Sequence, residues 1–422
     1  MTGVAGRARR QPKRSLWWRV HQWAGLQFSL FLAFILATGT IATLSHEIDW
    51  LLTPSMRVTP REGAPASWGA LAEAAEKAAG NDARIEWLHA PRDPWFAAEA
   101  VAVRANGERF RIEIDPWTAR VQGWAPWFNA QRLFRELHRH LMLPTAIGVP
   151  IVSALAFPLL ASVVTAFWVY KKWWRGFLRV PRRKPGRRND GRRFTGDLHR
   201  FAGLWSLWFA ALIGVTGVWY FAEKMGAAAP VPQPPVVMAP ARASETRLDA
   251  LVAIARRGFP GLHVRAIRFP GSKPGGVIIR GQAEALLVRD RANTVMLDPG
   301  TQAIVKVVHG NELSLHQRIS EAADPLHFGT WGGLPTRILW FLCGSALTGL
   351  ATTGVIIYAL RLQQQTVSAK RGGIVAAMWS GMGLLAWPCL GFLILALALL
   401  AARFVGWKVS TVQPRAATLQ QP

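Results

Sequence analysis

Five long stretches of this chain contain no Asp, Glu, Lys or Arg: residues 20–45, 141–170, 201–222, 338–360 and 372–402. A helix crosses a hydrocarbon core of about 30 Å with about 20 residues, so each stretch is long enough. Inside a bilayer the backbone must satisfy its own hydrogen bonds, which single segments of this length do as helices. The sequence therefore predicts a multi-pass α-helical integral membrane protein.

A formal charge of +26 would suggest nucleic acid in a soluble protein. Here the basic residues follow the positive-inside rule instead. Arg7, Arg9, Arg10, Lys13, Arg14 and Arg19 precede the first span, and eleven Lys and Arg lie between residues 171 and 193. Both segments are expected in the cytoplasm, in contact with anionic lipid, and nucleic acid is set aside as a partner. Of 24 Asp and Glu, only Asp190 and Asp197 fall on that side. The expected order is a basic N-terminus (1–19), a first span (20–45), an outer module (46–140) and a second span (141–170). A basic loop (171–198), a third span (199–222), a second outer module (223–336) and a fourth span (337–360) follow. A short loop (361–372), a fifth span (373–403) and a tail (404–422) complete it. The first span reads as a signal anchor, being too long for a removable signal peptide and lacking a small-residue cleavage site. Cys343 and Cys389 both fall inside spans and report nothing about redox compartment.

The two halves resemble each other in order. His21-Gln22-Trp23-Ala24-Gly25-Leu26 is matched by His199-Arg200-Phe201-Ala202-Gly203-Leu204, Asp115-Pro116-Trp117-Thr118 by Asp298-Pro299-Gly300-Thr301, and Leu137-His138 by Leu326-His327. The three offsets agree within ordinary variation in loop length. The predicted fold is two parallel repeats of helix, α+β module and helix, plus a fifth C-terminal span. In each module a helical pattern (68–79, 247–257) precedes strand patterns (96–104 and 109–114; 276–279 and 285–297). The proline-rich stretch 230–240 reads as a stiff linker. At about 80 residues each, the modules are expected to lean on each other or on the bilayer.

Six of the ten histidines lie at span ends: His21, His46, His138, His140, His199 and His327. Ionisable groups are seldom kept at a membrane without a use. His21 and His199 mark the cytoplasmic ends of equivalent helices, and the other four mark outer ends, making two layers of imidazole. On an ideal helix His21 and His46 stand about 37 Å apart and share a face. His138 and His140 point about 200° apart, so one of them faces the bundle, and the match to His327 favours His138. Imidazoles on facing helices are suitable axial ligands, and two layers would hold two b-type haems, with no Cys-x-x-Cys-His for covalent attachment. Gly39, Gly214, Gly217, Gly344, Gly349 and Gly354 would admit a macrocycle or a neighbouring helix. The plain alternative is that these histidines only anchor helix ends. A zinc site lacks companion thiolates or carboxylates. His89, His263, His309 and His316 read as packing or surface residues, and the tryptophans at 17, 18, 168, 173 and 174 as an aromatic belt.

The His-x-x-Ala-Gly-Leu openings, Gly39-Thr40 with His46-Glu47-Ile48-Asp49, Leu137-His138, and Leu326-His327-Phe328-Gly329 with Gly332-Gly333 resemble the PepSY-associated transmembrane family. The outer inserts with Asp-Pro-x-Thr turns resemble its PepSY modules. The resemblance implies an iron-regulated bacterial inner-membrane protein akin to ferric-siderophore reductases, with haem as cofactor and a ferric siderophore as substrate. No nucleotide fingerprint is present, so the electron donor would be a cytoplasmic partner or quinol. The expected activity is electron transfer across the membrane to the ferric chelate. Rival readings are a non-enzymatic PepSY protein that binds or inhibits a peptidase or senses the envelope, and a siderophore transporter.

Overall fold

The computed structural model describes residues 15–186, 190–231, 247–270 and 275–362, with isolated positions between 376 and 401. The N-terminal residues 1–14, most of the proline-rich linker, the loop beyond residue 362, Cys389, the tail, and most of the expected fifth span lie outside the described residues.

Outside the apolar helices the chain builds one eight-stranded antiparallel sheet. Its strands are β1 (Ala83–His89), β2 (Ala98–Arg104), β3 (Arg109–Ile114), β4 (Val121–Pro126), β5 (His263–Arg268), β6 (Val277–Gln282), β7 (Asn293–Leu297) and β8 (Ile304–Val308). Their order, β4-β3-β2-β1-β5-β6-β7-β8, sets two four-stranded meanders edge to edge. The seam pairs Trp87 with Arg268, Leu88 with Ile267 and His89 with Ala266. Two small modules are thus a single sheet, which solves the shortage of core that each would have alone.

The helices are α1 (Leu16–Gln27), α2 (Ser29–Thr43), α3 (Ser45–Leu52), α4 (Trp68–Ala79), α5 (Ala130–His140), α6 (Thr145–Ala154), α7 (Ala156–Val169), α8 (Asp190–Trp205), α9 (Leu207–Ala222), α10 (Leu248–Gly258), α11 (Leu315–Phe328) and α12 (Gly333–Leu362). Helices α4 and α10 cover one face of the sheet. Their Leu71, Ala75, Leu251 and Val252 share a core with Ile85, Leu88, Ala100, Ile112, Ile267, Ile279 and Val295. Small alanines at 98, 100 and 102 on β2 belong to this core and let α4 approach closely, while the alternate side chains, Glu99 among them, point to the opposite face.

Both Asp-Pro-x-Thr segments fold alike. Asp115 Oδ1 accepts from the N–H groups of Trp117 (2.9 Å) and Thr118 (3.2 Å), and Asp298 Oδ1 from those of Gly300 (2.8 Å) and Thr301 (3.4 Å). Ala119 (φ 55°) and Gln302 (φ 60°) then turn left-handed in both halves. The strand expected over 285–297 is shorter. It starts only at Asn293, because Leu287 is left-handed (φ 54°) and Asp290–Ala292 form a 3₁₀ turn.

Two helices, Thr145–Val169 and Gly333–Tyr358, are each long and apolar enough to cross a membrane. Two bent pairs pass the same test, α1 with α2 at 65° and α8 continued through α9 to Ala227 at 64°. The breaks fall at Phe28 and Ser206, separated by the same offset that relates His21 to His199. Ser206 Oγ donates to the Ala202 carbonyl at 2.7 Å, a competition with the backbone ladder that bends helices. The straight first helix assumed for His21 and His46 is therefore corrected: it breaks at Phe28 and again at Leu44, so ideal helix geometry does not relate the two.

Among the described residues the chain divides into two compact units. One draws on the chain up to Ala37, Ile151–Val218 and Cys343–Leu395; the other contains Thr38–Pro150 and Trp219–Leu342. In the first, α1 packs along α7, and Trp17 stacks on Trp168 with ring centres 4.5 Å apart. Gly214 and Gly217 let α9 close on α7, since added Cβ atoms would lie 2.6 Å from Leu160 Cδ2 and 2.8 Å from Ala156 Cβ. Gly349 has no such neighbour within 4 Å among the described residues.

Candidate functional site

In the second unit, α5 carries His138 and α11 carries His327, and their imidazoles meet with ring centres 6.0 Å apart and planes inclined by 39°. The start of α5 is fixed by two side chains. Asn129 Oδ1 accepts from Arg132 N (3.0 Å), while the buried Asp49 carboxylate accepts from Ala130 N (2.8 Å) and Gln131 N (3.0 Å). Carboxylates at a helix N-terminus satisfy otherwise unpaired N–H groups and the helix dipole. Helix α11 begins with a capping box between Ser314 and Gln317 and ends at Gly329 (φ 66°), against whose backbone Trp340 packs.

The His138 ring rests on α2 at Gly39. A Cβ there would lie 2.5 Å from His138 Cε1, so only glycine leaves the ring its place. His327 also touches the Tyr220 ring edge-on at 5.3 Å, and the Tyr220 hydroxyl donates to Asp324 Oδ1 at 2.7 Å. Asp324 is paired in turn with Arg289 at 3.0 Å. Loss of water around His327 and the neighbouring His138 push its pKa down to about 3, which keeps the imidazole neutral.

Two other expected residues do not join this pair among the described contacts. His46, on α3, has its pKa held well below the ordinary value by desolvation and then by Arg92, Arg337, Arg111 and Arg132. His140 ends α5, is buried, and leaves its Nδ1 without a hydrogen-bond partner. Desolvation lowers its pKa too.

In the first unit, His21 and His199 are anchored alike. His21 Nδ1 lies 3.1 Å from both the Ser162 carbonyl and Thr165 Oγ1, and His199 Nδ1 lies 2.9 Å from Thr353 Oγ1. A carbonyl can only accept, so His21 Nδ1 carries the proton. Thr165 and Thr353 each give their own hydroxyl proton to a carbonyl one turn back, of Ala161 (2.6 Å) and Gly349 (2.8 Å). His21 is thereby left with its lone pair on Nε2. Gly354 lies beside His199, with a built Cβ 3.7 Å from its Cε1.

The threonines are residues that sequence reasoning missed. Thr165 and Thr353 are related by nearly the same offset as His138 and His327, which is the signal by which they are found. Tyr220 and Asp324 gave no such signal. Also missed is Arg337 at the start of α12, 1% exposed and bonded to Glu47 and to Asp93 (2.7 Å), tying α12 to α3 and to the first module. Of the remaining histidines, His89 stacks on Trp87 (5.5 Å), His316 bonds the Ala227 carbonyl (3.0 Å) and His309 packs on Phe259 (4.1 Å). Among the described residues no three His, Cys, Asp or Glu side chains converge as a metal-ion site.

What the arrangement offers chemically is two adjacent imidazoles in one unit and two threonine-anchored imidazoles in the other. A metal held at about 2 Å by each of two imidazole nitrogens puts the ring centres about 6 Å apart, which the His138–His327 spacing matches. A search of curated proteins found no match to the chain. The family model described as the PepSY-associated TM region matches residues 18–361. The chain belongs to the PepSY-associated transmembrane family, and is a membrane protein of that type.

Proposed function

We propose that this protein is a haem-binding reductase of the bacterial inner membrane, delivering electrons to a ferric siderophore on the outer side so that iron is released. The observation that carries the reading is the matched anchoring of His21 and His199, whose Nδ1 atoms lie 3.1 and 2.9 Å from threonine hydroxyls. Histidines that ligate metals are oriented in this way by a hydrogen bond from their other nitrogen. The pairing of His138 with His327 supports a second ligand set.

Bound at these histidines, b-type haem would supply reversible one-electron chemistry at iron. The chain's own residues orient the ligands. Thr165 and Thr353 hold the rings, Gly39 admits the His138 ring, and Tyr220 with Asp324 props His327. Hard oxygen chelators hold Fe(II) less tightly than Fe(III), so reduction promotes release. His46 and His140 remain candidates of lower rank, since neither faces another histidine among the described contacts. The proposed layout is the parallel repeat of two spans and an outer module, with the basic segments and N-terminus cytoplasmic and a fifth span after the second repeat. The donor is a cytoplasmic protein or quinol.

The visible spectrum of the detergent-purified protein tests this. A Soret band with sharp α and β bands after dithionite is expected, about half of it lost in a His21→Ala, His199→Ala variant and the other half in His138→Ala, His327→Ala. A colourless protein from cells well supplied with haem would overturn the reading and favour a PepSY binding protein without redox function.

A further inference from the structure

The two helices that bring His138 and His327 together carry different charge beside them. On α5, Arg135, His138 and Arg139 stand at i, i+3 and i+4, so the three share one face of the helix. Arg135 is exposed and Arg139 half-buried, and among the described residues neither closes a hydrogen bond or an ion pair. Like charges one turn apart repel each other. The offset that carries His138 onto His327 carries Arg135 onto Asp324 and Arg139 onto Phe328. Helix α11 therefore brings an acid and no cation to the corresponding places.

The acids in range leave the arginines of α5 unneutralised. Asp324 interacts electrostatically with Arg135, yet its Oδ1 accepts from the Tyr220 hydroxyl (2.7 Å) and its Oδ2 is paired with Arg289 (3.0 Å). Glu136 follows Arg135 directly and so sits about 100° further round the helix. Tyr220, whose ring meets that of His327 at 5.3 Å, is in electrostatic range of Arg135 as well. This places Arg135 beside both partners of the pair: one turn from His138 on its own helix, and near the tyrosine and the acid that flank His327. A guanidinium fork fits a carboxylate, and b-type haem carries carboxylates on its propionate arms.

We infer that Arg135, supported by Arg139 one turn on, binds a propionate carboxylate of the haem held by His138 and His327. The identity of the ligand rests on the reductase reading, whereas the unneutralised arginines on the His138 face of α5 belong to the chain itself. Their positive charge favours ferrous over ferric iron, so it raises the potential at which this site accepts an electron.

The test uses full-length protein, purified in detergent from haem-poor cells and titrated with haemin and with haemin dimethyl ester, in which the carboxylates are blocked. In the component of binding that His138→Ala, His327→Ala removes, haemin should bind about tenfold more tightly than the ester. Arg135→Gln should abolish that difference. Haemin affinity should fall about tenfold, ester affinity should stay as it was, and the midpoint potential of this component should drop. Arg135→Lys should lie between, and retained thermal unfolding identifies variants that fold. Haemin bound equally well by folded Arg135→Gln, or an ester weakened as much as haemin, would overturn the proposal and leave the reductase reading in place. No haemin bound by the unaltered protein would sink both.

Discussion

At the scale of single residues, the hydroxyls of Thr165 and Thr353 have the clearest consequence. Replacing both with valine keeps their shape and removes the hydroxyl partner of each histidine Nδ1, His21 keeping the Ser162 carbonyl. Outer-shell partners of this kind are worth about 10- to 100-fold in metal affinity. If the proposed haem sites exist, titration of the purified double variant with haemin should show a loss of that order at a His21–His199 site and none at a His138–His327 site. Glu113 offers a second test. It is 1% exposed, and its pKa is pushed up to about 8 by burial and then by Glu99, against the pull of Arg111. A carboxyl whose pKa is raised by folding binds its proton better in the folded state. Its contribution to stability is therefore full below the unfolded value near 4.5 and is lost as pH rises through about 8. The eight-stranded sheet should lose thermal stability across that window, and Glu113→Gln should flatten the dependence.

At the scale of elements, the seam between β1 and β5 makes one body of two modules. Leu88 and Ile267 face each other across it, both fully buried in the core shared by α4 and α10. Proline at 267 would remove a ladder donor in a central strand, a change that strands of this kind do not accept. Ile267→Pro should split the unfolding of the eight-stranded sheet into separate steps, followed by protease cleavage between the halves. A single sharp transition in this variant would mean that the helices, not the seam, join the modules. The elements themselves were only partly legible. The helical periods at 68–79 and 247–257 and the strands at 98–104 and 109–114 show in the pattern of apolar residues, whereas β1 and β5 do not. Residues such as Trp87, His89 and Arg268 are polar or aromatic because they alternate with Leu88 and Ile267 and face away from the core, and a strand at a module's edge shows no partner in sequence.

At the scale of the whole molecule, the sequence by itself determined the membrane class, the family and the histidines worth watching. Long apolar runs, charge asymmetry and a recurring order of short motifs are properties of the chain, set by what a bilayer tolerates. The break at Phe28 and Ser206, the carboxylate of Asp49 on the start of α5, the hydroxyls that lock His21 and His199, and the shared sheet were decided by tertiary structure. Each depends on groups far apart in sequence meeting at hydrogen-bond distance, and spacing along a chain carries no record of that.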